Sequence, residues 1–130
     1  MKKNVMGKET KFLIVDDDKG VRYFLTRFLK QKGYKEVQSA ATGKEALKII
    51  DEDRIKIVLL DIRLPGMDGV EVLRKIKARD KDIGVIMITG FPDEKIGQQC
   101  LELGASDYIM KPFDLAYLEL NVLTKIVTMT

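Results

Sequence analysis

The chain has no histidine among its 130 residues. That absence excludes Ser-His-Asp triads, Cys-His pairs, histidine metal ligands and any histidine phosphocarrier role within the chain. Cysteine is almost as scarce. Cys100 stands alone, so an internal disulfide and a zinc–cysteine cluster are both excluded. It lies in a helical pattern beside Leu101 and Leu103, where a free cysteine normally serves as a small buried hydrophobe. No apolar run approaches the roughly 18–20 residues of a membrane span. The basic start, Met1 to Met6, lacks the apolar core of a signal peptide. These absences predict a cytoplasmic protein with no membrane association. No basic block resembles a nucleic-acid arm, and the net charge of +3 comes from Lys and Arg interleaved with Asp and Glu, as on solvated helix faces. Asparagine occurs only as Asn4 and Asn121 while Lys, Arg and Glu abound, which leans towards a heat-loving source. Any chemistry here rests on carboxylates, hydroxyls and amines.

What is present is a regular alternation. With 45% hydrophobic and 33% charged residues the chain is globular, and its length predicts one domain with a proper core. Residues 1–9 read as a loose, lysine-bearing tail, and 10–130 as the domain. Strands are expected at about 11–15, 37–41, 56–60, 84–88 and 107–110, each bounded by turn or cap signals. Helical spacing fills the gaps. Val21, Phe24, Leu25, Phe28 and Leu29 mark a helix over about 19–32 that Gly33 stops. Thr42-Gly43 opens a short helix bearing Ala46, Leu47, Ile49 and Ile50. A loop, Leu64 to Gly69, places Asp68 as the N-cap of a helix from Val70 to about Ala78. Further helices are expected from about 93 to Leu103 and from Asp114 to near the terminus.

Repeated βα units with near-continuous apolar strands imply an α/β fold with a five-stranded parallel sheet buried on both faces. Right-handed crossovers put the first and last helices on one face and the other three opposite, a three-layer α/β/α arrangement with strand order 2-1-3-4-5. The strands end on polar residues: Asp16, Asp17 and Asp18 after the first, Asp61 after the third, Thr89 after the fourth, Lys111 after the fifth. In a parallel sheet these gather at the carboxyl edge, where open α/β sheets bind ligands. Asp16, Asp17 and Asp61 then face one another, and without a counter-ion at least one carboxylate pKa must rise. A hard divalent cation such as Mg²⁺ removes that penalty. Asp18 is assigned to capping. Thr89 can reach a phosphoryl oxygen, Gly90 leaves room for a ligand, and Lys111 supplies a mobile positive charge.

The segments FLIVDDD, VLLDIRLPGMDG, VIMITG and GASDYIMKPF resemble the receiver domain of bacterial two-component response regulators, with the NtrC-type receivers most similar. The likeness covers roughly residues 10–125 and implies the flavodoxin-like (CheY-like) fold. It implies that Asp61 is the phosphoacceptor, attacking a phosphohistidine of a sensor histidine kinase or phosphotransfer protein. Asp17 and Asp61 are then direct ligands of Mg²⁺ (with Mn²⁺ able to substitute), Asp16 acts through water, and the backbone carbonyl of Arg63 adds a ligand. Lys111 pairs with the phosphoryl group, and its bond to Pro112 is expected to be cis. Thr89 and Tyr108 match the switch pair, in which Thr89 moves to the phosphoryl oxygen and Tyr108 turns into the vacated space.

Two positions are expected to tune kinetics: Arg63, two residues after the phosphoacceptor, and Phe91, two after Thr89. The final helix carries apolar residues over on the order of 200° of its circumference, where a core stripe needs somewhat over about 100°. The surplus points to a homodimer or target-docking face shared by helix four, strand five and helix five, against the alternative of tighter burial on helix one. The chain is expected to be no enzyme beyond self-phosphorylation and autodephosphorylation. It acts alone or as the receiver portion of a longer transcriptional regulator. A receiver-like interaction module that is never phosphorylated is one rival. A haloacid-dehalogenase-type phosphatase is another, but it needs an acid/base aspartate where Arg63 stands. A flavin protein is disfavoured because DDDKG is too acidic for a phosphate cradle.

Overall fold

A computed structural model describes residues 8–90, 93–111 and 115–129 of the chain. Five strands, β1 (Phe12–Val15), β2 (Val37–Ala40), β3 (Ile57–Asp61), β4 (Gly84–Thr89) and β5 (Asp107–Met110), alternate with five helices. These are α1 (Lys19–Gln31), α2 (Gly43–Glu52), α3 (Gly69–Arg79), α4 (Glu94–Glu102) and α5 (Leu115–Met129). The strands pair in parallel in the order 2-1-3-4-5. Sequence boundaries shift slightly: Asp61 and Thr89 end inside their strands, and Gly69, expected in a loop, is the first residue of α3. Asp114, the expected start of the last helix, lies outside the described residues.

Strand side chains alternate between the sheet faces, because successive Cβ atoms point to opposite sides. Phe12, Ile14, Ile57, Leu59, Ile86 and Ile88 pack with Leu25, Phe28 and Leu29 of α1 and Leu118 and Val122 of α5. Leu13, Val15, Val58, Leu60, Val85 and Met87 pack on α2, α3 and α4 through residues such as Ala46, Ile76 and Cys100. Cys100 is fully buried, as its neighbours foretold. Burying side chains such as Val72, Leu73 and Ile76, all fully enclosed, stabilises the sheet–helix contact by about 1.5–3 kcal/mol each.

The helix ends follow from local chemistry. Thr42 accepts a hydrogen bond from the Glu45 N–H while the Glu45 carboxylate accepts one from the Ala41 N–H, two otherwise orphaned donors satisfied together. Asp18, Asp68 and Asp93 cap α1, α3 and α4 by accepting backbone N–H groups of the first turn. Gly33 ends α1 at φ +99°, a conformation that costs glycine little and L-residues more. The last helix shows the expected surplus. Leu118 and Val122 are buried, while Leu115, Leu120 and Leu123 remain exposed and so are not consumed by packing on α1.

Candidate functional site

β1 and β3 are adjacent, in register from Phe12↔Ile57 to Val15↔Leu60, so the residues that follow them emerge side by side. Asp16, Asp17 and Asp61 each offer a carboxylate oxygen, and the three oxygens lie within 4.8 Å of one another. Asp16 and Asp61 are buried whereas Asp17 is exposed, so the cluster opens to solvent on one side. Three hard oxygen donors with open space for water suit a magnesium-sized cation, which keeps several waters when held by few carboxylates.

Lys111, two strands away, reaches into this cluster. Its Nζ donates to Asp16 Oδ2 at 2.7 Å and lies 3.7 Å from Asp61 Oδ2. Burial alone would lower the lysine's pKa, but the hydrogen bond and charge of Asp16, with Asp61 and Asp17, more than compensate and raise it. It is therefore a firmly held cation. The Asp61 carboxyl is pushed up from its usual range, first by burial and then by the negative charge of Asp16. Lys111 and the Arg63 N–H, 3.4 Å from Asp61 Oδ1, oppose that shift without cancelling it.

Asp16 is the most constrained of the three. Its Oδ1 accepts the Asp18 N–H at 2.9 Å, and its carbonyl accepts the Arg22 guanidinium at 2.8 Å. Asp18 itself accepts the N–H groups of Gly20 and Val21, the capping duty assigned to it. Thr89 is fully buried at the end of β4, and its carbonyl accepts the Lys111 N–H at 2.7 Å, tying the ends of β4 and β5 together. Arg63 is exposed beside the cluster. Phe91 and Pro112 lie outside the described residues. Among the described residues, a Cβ on Gly90 would meet only Lys111 Cδ, at 4.0 Å, which agrees with the space expected there.

Tyr108 stands apart from the carboxylates. Its hydroxyl accepts the Asp93 N–H at 3.1 Å and lies 3.3 Å from the Asp93 carbonyl, to which it donates. Its ring rests on Gly97, where an added Cβ would lie 3.2 Å from Cε1. Sequence reasoning overlooked Gly69. Its N–H donates to the Ile62 carbonyl at 2.6 Å, and a Cβ there would lie 2.2 Å from the Asp61 carbonyl oxygen. The only available signal was a glycine directly after a capping aspartate, too common a pair to single out.

The family model for the response regulator receiver domain matches residues 12–123. Sporulation initiation phosphotransferase F of Bacillus subtilis is 43% identical over 105 residues, covering 81% of this chain and 84% of that protein. The C4-dicarboxylate transport transcriptional regulatory protein DctD of Rhizobium meliloti is 39% identical over 108 residues, which are 83% of this chain but 23% of that protein. Among solved structures, the CheY-like receiver domain protein from Methanospirillum hungatei JF-1 matches with a TM-score of 0.89 at 34% identity, over 93% of this chain and 96% of that one. The five-stranded parallel order, the acidic cluster at its carboxyl edge and the family match together place this chain among the receiver domains of two-component response regulators, a family of phosphorylation-based signalling.

Proposed function

We propose that the chain accepts a phosphoryl group from the phosphohistidine of a sensor histidine kinase or phosphotransfer protein onto Asp61. The observation that carries this reading is the meeting of Asp16, Asp17 and Asp61 with the Lys111 ammonium at one sheet edge. An Asp61 carboxylate oxygen bonds to phosphorus as the histidine N–P bond breaks, and the bonding electrons stay on the imidazole nitrogen. A bound Mg²⁺ or Mn²⁺ supplies neutralising charge to the phosphoryl oxygens. Asp17, Asp61 and the Arg63 carbonyl would hold it, with Asp16 contributing through water. Lys111 holds a further phosphoryl oxygen. Burial of Asp61 limits the access of competing water, and a bound cation would keep its carboxylate ionised for attack.

The aspartyl phosphate then repositions Thr89 and Tyr108 and so alters the face formed by α4, β5 and α5, which meets a target protein or a second copy. Tyr108 supports this role because its hydroxyl is tied to Asp93, the N-cap of α4. The chain has no separate substrate to turn over and works in the cytoplasm; among the described residues no helix is long and apolar enough to cross a membrane. The small share of DctD that it matches favours a second use, as the receiver module of a longer transcriptional regulator.

Incubation with Mg²⁺ and a small phosphodonor should add a phosphate-sized mass to the intact protein, and a chelator should prevent it. No gain at any donor concentration would favour the unphosphorylated interaction module instead. Phe91 is proposed to obstruct the water that attacks the aspartyl phosphate. Phe91→Ala should then shorten its lifetime by opening a path for that water. An unchanged decay rate of the mass-shifted species excludes that role.

A further inference from the structure

Of the three clustered carboxylates, Asp17 is the least anchored by its own side chain. It is exposed, and among the described residues its carboxylate accepts no hydrogen bond. Asp16, by contrast, is buried and held by the Asp18 N–H and the Lys111 ammonium. The place of the Asp17 carboxylate therefore follows from its backbone. Once Cα is fixed, a short side chain has few staggered rotamers to choose from. What fixes Cα is the Asp16–Asp17 peptide, a planar unit that moves as one piece.

That peptide lies just beyond β1, which ends at Val15. The Asp16 N–H still pairs with the Ala40 carbonyl at 3.1 Å. Its own carbonyl has no backbone partner among the described residues and accepts the Arg22 guanidinium instead, through Nη1 at 2.8 Å. Arg22 is half-buried in the first turn of α1, where its N–H donates to the Asp18 carbonyl at 3.1 Å. Asp18 in turn caps the helix through the Gly20 and Val21 N–H groups. Residues 16–22 are thus closed into a loop, with Arg22 reaching back from the helix to the strand end. A guanidinium is planar, always charged and rich in donors, which makes the link stiff.

We infer that Arg22 is a positioning residue for the cation site. By holding the Asp16 carbonyl it orients the Asp16–Asp17 peptide, so that the Asp17 carboxylate meets those of Asp16 and Asp61. The inference rests on the reading of this cluster as a divalent-cation site and adds a residue that touches no ligand of the phosphoryl group. Electrostatics alone carries the opposite expectation. Arg22 is a positive charge beside a cation site, so removing its charge would tighten Mg²⁺ binding. Removing a clamp loosens Asp17 and weakens binding, since partners that orient metal ligands are worth about 10–100-fold in affinity. The sign of the change separates the two roles.

The test titrates the full chain with Mg²⁺ by calorimetry at constant ionic strength, wild type beside Arg22→Ala, Arg22→Lys and Arg22→Gln. Arg22→Ala should raise the Kd for Mg²⁺ about tenfold. Arg22→Lys keeps the charge but offers a single ammonium on a flexible stem, and should fall between alanine and wild type. Arg22→Gln keeps an N–H donor without the charge and should also bind more tightly than the alanine variant. The Mg²⁺ concentration for half-maximal phosphate-sized mass gain should rise with the Kd. Unchanged or tighter Mg²⁺ binding by Arg22→Ala, or a loss confined to Tm, overturns the inference. Should the alanine variant not fold, wild-type affinity in both other variants overturns it equally. A wild-type chain that binds no Mg²⁺ removes the cation-site reading and this inference together, whereas normal wild-type binding with unaffected variants removes the role of Arg22 alone.

Discussion

Asp61→Asn should abolish the phosphate-sized mass gain completely and, at the same time, make the metal-free protein more stable at neutral pH. The first effect follows from chemistry, since an amide oxygen is a poor nucleophile. The second follows from electrostatics. Burial and the charge of Asp16 raise the Asp61 pKa above its ordinary 3.8. An acid whose native pKa is raised binds its proton more tightly when folded. Its contribution is fully present below the unfolded pKa and is lost as pH rises through the raised native value. Wild type should therefore lose stability across that window and Asp61→Asn should not, so the gap opens with rising pH and then levels. Thermal unfolding should show this as a higher Tm of the variant at neutral pH that closes as the pH falls. Mg²⁺ should raise the Tm of wild type by mass action and leave the variant nearly unmoved. A pH-independent gap, or equal stabilisation of both by Mg²⁺, contradicts the assignment of the cluster as a metal site.

Gly69→Ala is expected to be the most damaging glycine-to-alanine change among the described residues. A Cβ at this position would lie 2.2 Å from the Asp61 carbonyl oxygen and 2.6 Å from Ile62 Cα. Both are backbone atoms of the strand end that carries the phosphoacceptor, so no side-chain rotation relieves the overlap. The first turn of α3 and the end of β3 must separate, breaking the Gly69 N–H bond to the Ile62 carbonyl. Overpacking of this kind costs about 3 kcal/mol or more, or on the order of 10 °C in Tm. Displacing Asp61 by a fraction of an ångström should also slow phosphoryl uptake up to about 100-fold. Gly90→Ala is the control, because among the described residues its Cβ would find only Lys111 Cδ at 4.0 Å. Matching melting temperatures for the two variants would show that the α3 turn relaxes freely.

Both predictions separate what was legible in the chain from what was not. The apolar runs that became β1, β3 and β4 are buried on both faces, so their composition is nearly context-free and their ends can be read directly. β2, whose middle residues are exposed, gave a weaker signal and ended one residue earlier than expected, at Ala40. Caps were also readable, because Asp18, Thr42 and Asp68 bond backbone groups two or three residues away. Such interactions are local and leave a local trace.

The amino-acid sequence alone determined the βα order, the right-handed winding and hence which polar residues share the sheet edge, since period, length and chirality act over short stretches. Tertiary structure alone decided how those residues divide the work. That Lys111 bonds Asp16 and stands farther from Asp61 depends on strands brought together from 95 positions apart. That Gly69 guards the Asp61 backbone, and that Gly97 leaves room for the Tyr108 ring, are facts of excluded volume between distant segments. Such contacts are set by packing at ångström scale, to which local residue preferences are blind.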